Sequence, residues 1–255
     1  MKIIAVTNRK GGVGKTTTAI NIATSMAAIG KKVVLLDLDP QGNATTSLGI
    51  TKNQLSYSSY DVLVNQVPAE DAIVSTFIPG FYIIPAKADL AAAEIELIGK
   101  PGREKILKTI LSALESKFDY ILIDCPPSLN LLTLNALCAA NSILIPLQCE
   151  FLALEGLTDL IRNIERVKKV YNPSLKIQGI VLTMFDKRNN LSLMIEKDVR
   201  AHFKDLVYQT VIPRSVRIAE APSHGKPILF YDLKSIGAQS YLELAKEVLT
   251  REGEI

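Results

Sequence analysis

Runs of apolar residues of strand length recur along the chain: Ile3 to Val6, Val33 to Leu36, Phe81 to Ile84, Tyr120 to Ile123, Ile143 to Ile145, Ile177 to Leu182 and Val207 to Ile212. Within each run the hydrophobicity is near-continuous instead of alternating, which is the pattern of strands covered on both faces. Helical periodicity fills most of the intervals. It predicts a helix from about Lys15 to Ile29 stopped by Gly30, and a second opened by Pro101-Gly102 and continuing to about Ser116. Two more run from roughly Leu152 to Val170, ending before Asn172-Pro173, and from Leu191 to Lys204. Strands that alternate with helices imply a mostly parallel sheet, so the expected class is doubly wound α/β. No repeat, low-complexity tract or Ser/Gly linker interrupts the pattern, and one domain over residues 1–255 is expected.

From Cys125 to Cys149 there are 25 residues without a charge, longer than the ~20 a membrane-spanning helix needs. Pro126, Pro127 and Pro146 break that stretch, and Asn130, Asn135, Asn141, Ser142 and Gln148 would be costly in hydrocarbon. It reads as helix, turn and buried strand. The N-terminal apolar run stops at Asn8 before Arg9 and Lys10, too short for a secretory signal, so a cytoplasmic protein is expected.

Composition adds mainly exclusions. With 48% hydrophobic residues the 255-residue chain can bury one large core, and 29 Lys and Arg against 26 Asp and Glu leave a net charge of only +3. A polyanion partner would therefore need a local basic surface. Cys125, Cys138 and Cys149 form no CxxC pair, which argues against a disulfide framework or a zinc site. Only His202 and His224 are present, away from any Ser or Cys signature, so no nucleophilic triad is visible.

The first apolar run leads into Lys10-Gly11-Gly12-Val13-Gly14-Lys15-Thr16-Thr17 and then a helix. Glycines let successive backbone N–H groups converge on phosphate oxygens, and the helix N-terminus adds its dipole. Lys15 supplies a mobile cation for phosphate oxygens and Thr16 a hydroxyl for Mg²⁺. The pattern GxxxxGK[ST] would place glycine at position 9, where this chain has Arg9, and Lys10 follows it. Asp124 ends a buried strand, where its carboxylate is placed to reach Mg²⁺ in the Walker B manner. Asp37 and Asp39 sit at another strand end, with side chains on opposite faces if the strand continues through them.

KGGVGKTT resembles the deviant Walker A motif of the ParA/MinD superfamily of P-loop NTPases, in which an additional signature lysine precedes the glycines. Asp37-Leu38-Asp39-Pro40-Gln41-Gly42-Asn43, Ile123-Asp124-Cys125-Pro126-Pro127-Ser128, Leu182-Thr183-Met184-Phe185-Asp186 and Ile212-Pro213-Arg214 resemble its chromosomal ParA (Soj) branch, as does Ala221-Pro222-Ser223-His224-Gly225-Lys226-Pro227. The resemblance implies that Lys10 reaches the nucleotide of a second subunit, coupling ATP binding to homodimer formation. It makes Asp39 the residue that positions the attacking water, beside Thr16 and Asp124 as metal-ligating candidates. Asp37 is left to orient the metal shell or to cap the structure. Pro40 to Asn43 and Asp124 to Ser128 would be switch segments. Met184, Pro213, Arg214 and Ser215 follow two late strands, where ParA-like proteins hold adenine.

From Lys187 to Arg217, seven basic residues face three acidic ones, a local net of +4. On the helix from Leu191 to Lys204, Leu191, Ile195, Val199 and Phe203 form an apolar stripe, with Lys197, Arg200 and Lys204 roughly opposite. ParA-like dimers bind double-stranded DNA without sequence preference through this region, which makes Lys197, Arg200, Lys204 and Arg217 candidates and implies a nucleoid-associated protein with a ParB-like partner. The competing expectation is a MinD-like positioning or assembly ATPase acting on a protein or membrane. The ending Leu249-Thr250-Arg251-Glu252-Gly253-Glu254-Ile255 is acidic and short of apolar residues, which disfavours a membrane, and the phosphate loop starts too early for a preceding helix-turn-helix domain. A nitrogenase-like reductase would need cysteines bridging a cluster.

Overall fold

A computed structural model describes residues 1–254. Eight strands are formed: β1 (Lys2–Val6), β2 (Val33–Asp37), β3 (Val74–Ser75), β4 (Phe81–Ile84), β5 (Tyr120–Asp124), β6 (Ser142–Gln148), β7 (Lys176–Phe185) and β8 (Val207–Pro213). They make one sheet in the order β3-β4-β2-β5-β1-β6-β7-β8, parallel throughout except where β3 meets β4. The first half carries helices α1 (Lys15–Ala28), α2 (Asn43–Ser47), α3 (Ser59–Leu63), α4 (Leu90–Glu96) and α5 (Ile106–Ser112). The second half carries α6 (Leu131–Ala139), α7 (Ala153–Val170), α8 (Asn190–Phe203), α9 (Val216–Glu220), α10 (Ile228–Tyr231) and α11 (Ile236–Arg251).

Strand side chains alternate between two cores, as the period of two requires. Ile3 and Ala5 of β1 join Ile121 and Ile123 of β5 beneath α4 to α8, while Ile4 and Val6 join Tyr120 and Leu122 beneath α1 and α11. Both faces are therefore apolar, which explains the unalternating runs. The uncharged stretch resolves into the loop after β5, α6 and β6. Among the described residues no helix is long and apolar enough to cross a membrane. Ile255, the last residue of the acidic ending, lies outside the described residues.

One sequence expectation needs correction. Pro101-Gly102 does not open a helix: Gly102 takes a left-handed φ of +69°, so residues 101–104 turn and α5 starts only at Ile106 and ends at Ser112. The short β3 went unpredicted.

Register sets the site. Asp124 at the end of β5 lies opposite Val6 of β1 on one side and Asp37 of β2 on the other. Three central strands thus end level, and the loops that follow them share one edge of the sheet.

Candidate functional site

Between β1 and α1, residues 7–14 form the phosphate loop. Gly12 and Gly14 adopt φ of +76° and +86°, a region that side-chain-bearing residues rarely enter, so glycine is required at both. Thr183 at the end of β7 donates its hydroxyl to the Val13 carbonyl at 2.9 Å, fixing the loop from the side. Lys15 is only 7% exposed, and its ammonium donates to the Lys10 carbonyl at 3.1 Å, so it lies folded under the loop. Burial lowers its pKa, with Asp124, Cys125 and Asp39 opposing that shift.

Asp124 is completely buried, and neither carboxylate oxygen has a hydrogen-bond partner. Burial, then the neighbouring Asp37 carboxylate, holds its carboxyl well above the usual carboxylate range. An unsatisfied buried carboxylate is costly unless something completes it. Of its neighbours, the Thr16 hydroxyl can ligate a phosphate-bound divalent cation and the Lys15 ammonium can pair with the phosphates themselves. Among the described residues no three His, Cys, Asp or Glu side chains converge as a metal cage. That suits Mg²⁺, which takes one or two protein oxygens and completes its shell with phosphates and water.

Asp37 is the last residue of β2, so the strand does not continue to Asp39. Asp37 is fully buried and accepts from Thr45 N at 2.9 Å, Thr45 Oγ1 at 2.7 Å and Asp39 N at 3.3 Å. Burial raises its pKa above the normal carboxylate value, against the hydrogen bonds from Thr45. Asp39 accepts from Gln41 N on Oδ1 at 3.0 Å, which leaves Oδ2 without a protein donor in the structure. Asp37 is thus used internally, while Asp39 keeps an oxygen for something outside the chain.

Met184, Pro213, Arg214 and Ser215 line one cavity of about 450 Å³ that also touches Gly14 and Thr17. Its remaining wall is Thr183, Ile212, Val216, Ile218, Ala219, Pro222 and Tyr241; Thr183, Ile212 and Pro222 lie in the family-like segments but were not assigned to adenine, and the other four were not singled out. Those residues come from β7, β8, α9, the turn after α9 and α11, and only the α/β class hinted that late helices would close over the loop. Met184 adopts φ +50°, a strained conformation for a non-glycine residue, consistent with a built site.

Lys10 is placed differently from Lys15. Its side chain is 55% exposed and its ammonium pairs with Glu150, just after β6. So exposed a pair contributes about 1 kcal/mol at most, and Lys10 can exchange partners readily. Glu150 was missed because nothing local in its sequence marks it.

The basic candidates do not form one patch. Arg200 is an error of the helical-wheel reading: its guanidinium binds Glu196 at 3.0 Å and the carbonyls of Tyr208 and Gln209 at 3.0 and 3.3 Å, so it ties α8 to β8. Lys204 follows α8 ahead of the start of β8, at the sheet edge remote from the phosphate loop. Lys197 is exposed on α8 between the two ends. Arg217 lies beyond the far end of β8, beside the cavity, pairing with Glu220 at 3.3 Å and Asp232 at 3.6 Å. Lys187 and Arg188 follow β7 at that same end, and the Arg214 N–H donates to the Phe185 carbonyl there at 3.0 Å. All three cysteines are buried and free, which does not suit a cluster shared between subunits.

Comparison with known proteins agrees with this geometry. A family model described as an AAA domain matches residues 1–177. The chromosome partitioning protein ParA of Caulobacter vibrioides is 56% identical over 254 residues, 99% of this chain and 95% of that protein. The sporulation initiation inhibitor protein Soj of Bacillus subtilis is 53% identical over 97% of this chain and 98% of its own length. The solved structure of a cobyrinic acid a,c-diamide synthase from Mycobacterium smegmatis, with bound ADP and magnesium, has a TM-score of 0.87 at 39% identity, covering 99% of this chain and 96% of that one. With its deviant phosphate loop, its parallel sheet and near-full-length identity above one half, the chain belongs to the ParA/Soj family of chromosome-partitioning proteins.

Proposed function

We propose that this protein is a DNA-partitioning ATPase whose ATP-bound homodimer holds double-stranded DNA without regard to sequence and releases it on hydrolysis. The unsatisfied Asp124 carboxylate, set level with the glycine loop and beside buried Lys15, carries the reading, because that pair is costly until phosphates and a cation complete it. Residues 11–17 and Lys15 cradle the phosphates, and the Met184, Pro213, Arg214 and Ser215 cavity takes the adenine. Mg²⁺, held by Thr16, with Asp124 and Asp39 nearby through water, would offset the charge that develops on the γ-phosphate. Asp39 holds the water. Identity to the partition proteins is 56%, against 39% to the diamide synthase, so partitioning is preferred to amide synthesis. A ParB-like partner that stimulates hydrolysis, and a nucleoid-associated place in the cytoplasm, follow from the family.

The DNA face is best placed at the cavity end of β7 and β8, where Lys187, Arg188, Arg214 and Arg217 gather, with Lys197 at its margin. Dimer formation doubles such a face and makes binding bivalent. DNA retention should therefore require ATP, be insensitive to sequence, and fall steeply with salt, each phosphate contact adding about 0.9 to the log–log slope. Arg217→Ala should flatten the slope by about one contact on every sequence, whereas Arg200→Ala should cost folding stability and leave the slope unchanged. Retention of unrelated duplexes across a salt series checks both. Equal binding with ADP and with ATP would defeat the partitioning reading in favour of a protein- or membrane-directed ATPase.

Lys10→Ala tests the subunit coupling. Lys10 contributes only its carbonyl to the Lys15 contact, which alanine keeps, so nucleotide affinity should stay within about threefold of wild type, less than one hydrogen bond's worth. ATP-dependent dimerisation and turnover should be lost. Mass in solution with ATP reads the outcome, and a variant that dimerises normally would remove the cross-subunit role.

A further inference from the structure

Neither the phosphate loop nor the cavity explains why a buried threonine joins three segments beside the Asp39 loop. Thr45, on α2, is completely buried. Its N–H and its hydroxyl both donate to Oδ2 of Asp37, at 2.9 and 2.7 Å, and the hydroxyl oxygen accepts from the Ala86 N–H, beyond β4, at 2.9 Å. The other Asp37 oxygen accepts from Asp39 N at 3.3 Å. Between Asp39 and Thr45 the main chain turns tightly, with Gly42 N donating to Asp39 O at 2.8 Å and Lys52 Nζ donating to Gln41 O at 2.7 Å. Among the described residues Asp37 has no basic partner within salt-bridge distance, and Thr45 provides two of the three hydrogen bonds that keep this buried carboxylate in place.

From this geometry we propose that Thr45 is a positioning residue for hydrolysis: by clamping Asp37 to the β4–α4 connection it fixes the strand end from which Asp39 addresses the γ-phosphate. The inference rests on the ATPase reading and on Asp39 as the residue that holds water. Thr45 does not reach the phosphate loop, whose own contacts run through Val13, Lys10 and Thr183, so ATP binding does not depend on it. Loss of its hydroxyl would take the shorter bond from Asp37 and leave the buried Ala86 N–H without an acceptor. The strand end would then be free to shift, and small displacements of a water-orienting group are amplified in rate.

The experiment compares wild type, Thr45→Val and Thr45→Ser in steady-state ATP hydrolysis, ATP affinity and thermal unfolding. Valine keeps the shape and β-branching but not the hydroxyl; serine keeps the hydroxyl. Thr45→Val should lower kcat about tenfold or more, in line with a lost hydrogen bond to a charged group, while KM and ATP affinity stay within about twofold. Thr45→Ser should recover most of kcat even if its melting temperature falls with the lost methyl. Unchanged kcat in Thr45→Val would overturn the proposal. So would a parallel loss of kcat and ATP affinity that tracks the melting temperature in both variants, since that would show general destabilisation. Absence of hydrolysis by wild type itself would count against the ATPase reading instead, which keeps the two failures distinct.

Discussion

Lys15→Ala should weaken ATP binding by about a hundredfold to several thousandfold, the range expected when one partner of a buried, hydrogen-bonded charge pair is truncated. Among the described residues its ammonium is the one folded beneath the loop: Lys10 is exposed and engaged with Glu150, and Arg9 is exposed. The loop should survive, because Gly12, Gly14 and the Thr183 clamp on Val13 do not involve the lysine side chain. The variant should thus fold without nucleotide yet lose the rise in melting temperature that Mg-ATP gives wild type, since a ligand stabilises by RT ln(1 + [L]/Kd). Calorimetric titration and thermal unfolding with and without Mg-ATP measure the two quantities. Near-normal affinity would show that the phosphates bind elsewhere.

How much of this was legible in the sequence depends on how local each signal is. β1, β2 and β4 to β8 were recoverable because strands covered on both faces are written as unbroken apolar runs. β3 was not, since Val74–Ser75 is two residues long and gains its place by antiparallel pairing with Ile83 and Tyr82. The Pro101-Gly102 helix start failed because proline favours a first helical turn, but glycine beside it can leave the right-handed region altogether, and Gly102 does. In the candidate site, the phosphate loop from Lys10, Asp39 and Asp124 could be picked out as candidates because each follows closely on a strand end. The outer cavity wall could not, because Val216, Ile218 and Tyr241 meet Gly14 only through the tertiary fold. Arg200 shows the same limit from the other side. A helical wheel places it on the polar face, but the Tyr208 and Gln209 carbonyls that hold it lie on another element.

The sharpest chemical consequence falls on Asp39. Asp39→Ala should cut ATP turnover by about a hundredfold to ten-thousandfold, the span usually supplied by a group that orients or deprotonates the attacking water. ATP binding should persist, because Lys15, Thr16 and the glycines are untouched, and so should the ATP-dependent homodimer proposed above. Two neighbours could in principle take over the water, and the geometry disfavours both. The oxygens of Asp37 are engaged by Asp39 N and Thr45, with that carboxylate buried behind the strand end. Asp124 has open oxygens, but its burial beside Thr16 and Lys15 suits it to the cation side of the phosphates instead. Phosphate release should therefore fall while the dimeric mass with ATP persists for hours, and duplex DNA should stay bound over the same period. Single-turnover phosphate release and light scattering on one ATP-loaded sample test these together. Turnover above about a tenth of wild type, a loss of less than roughly 1.4 kcal/mol in barrier, would pass the water-holding role to another carboxylate, with Asp124→Asn the next variant to make.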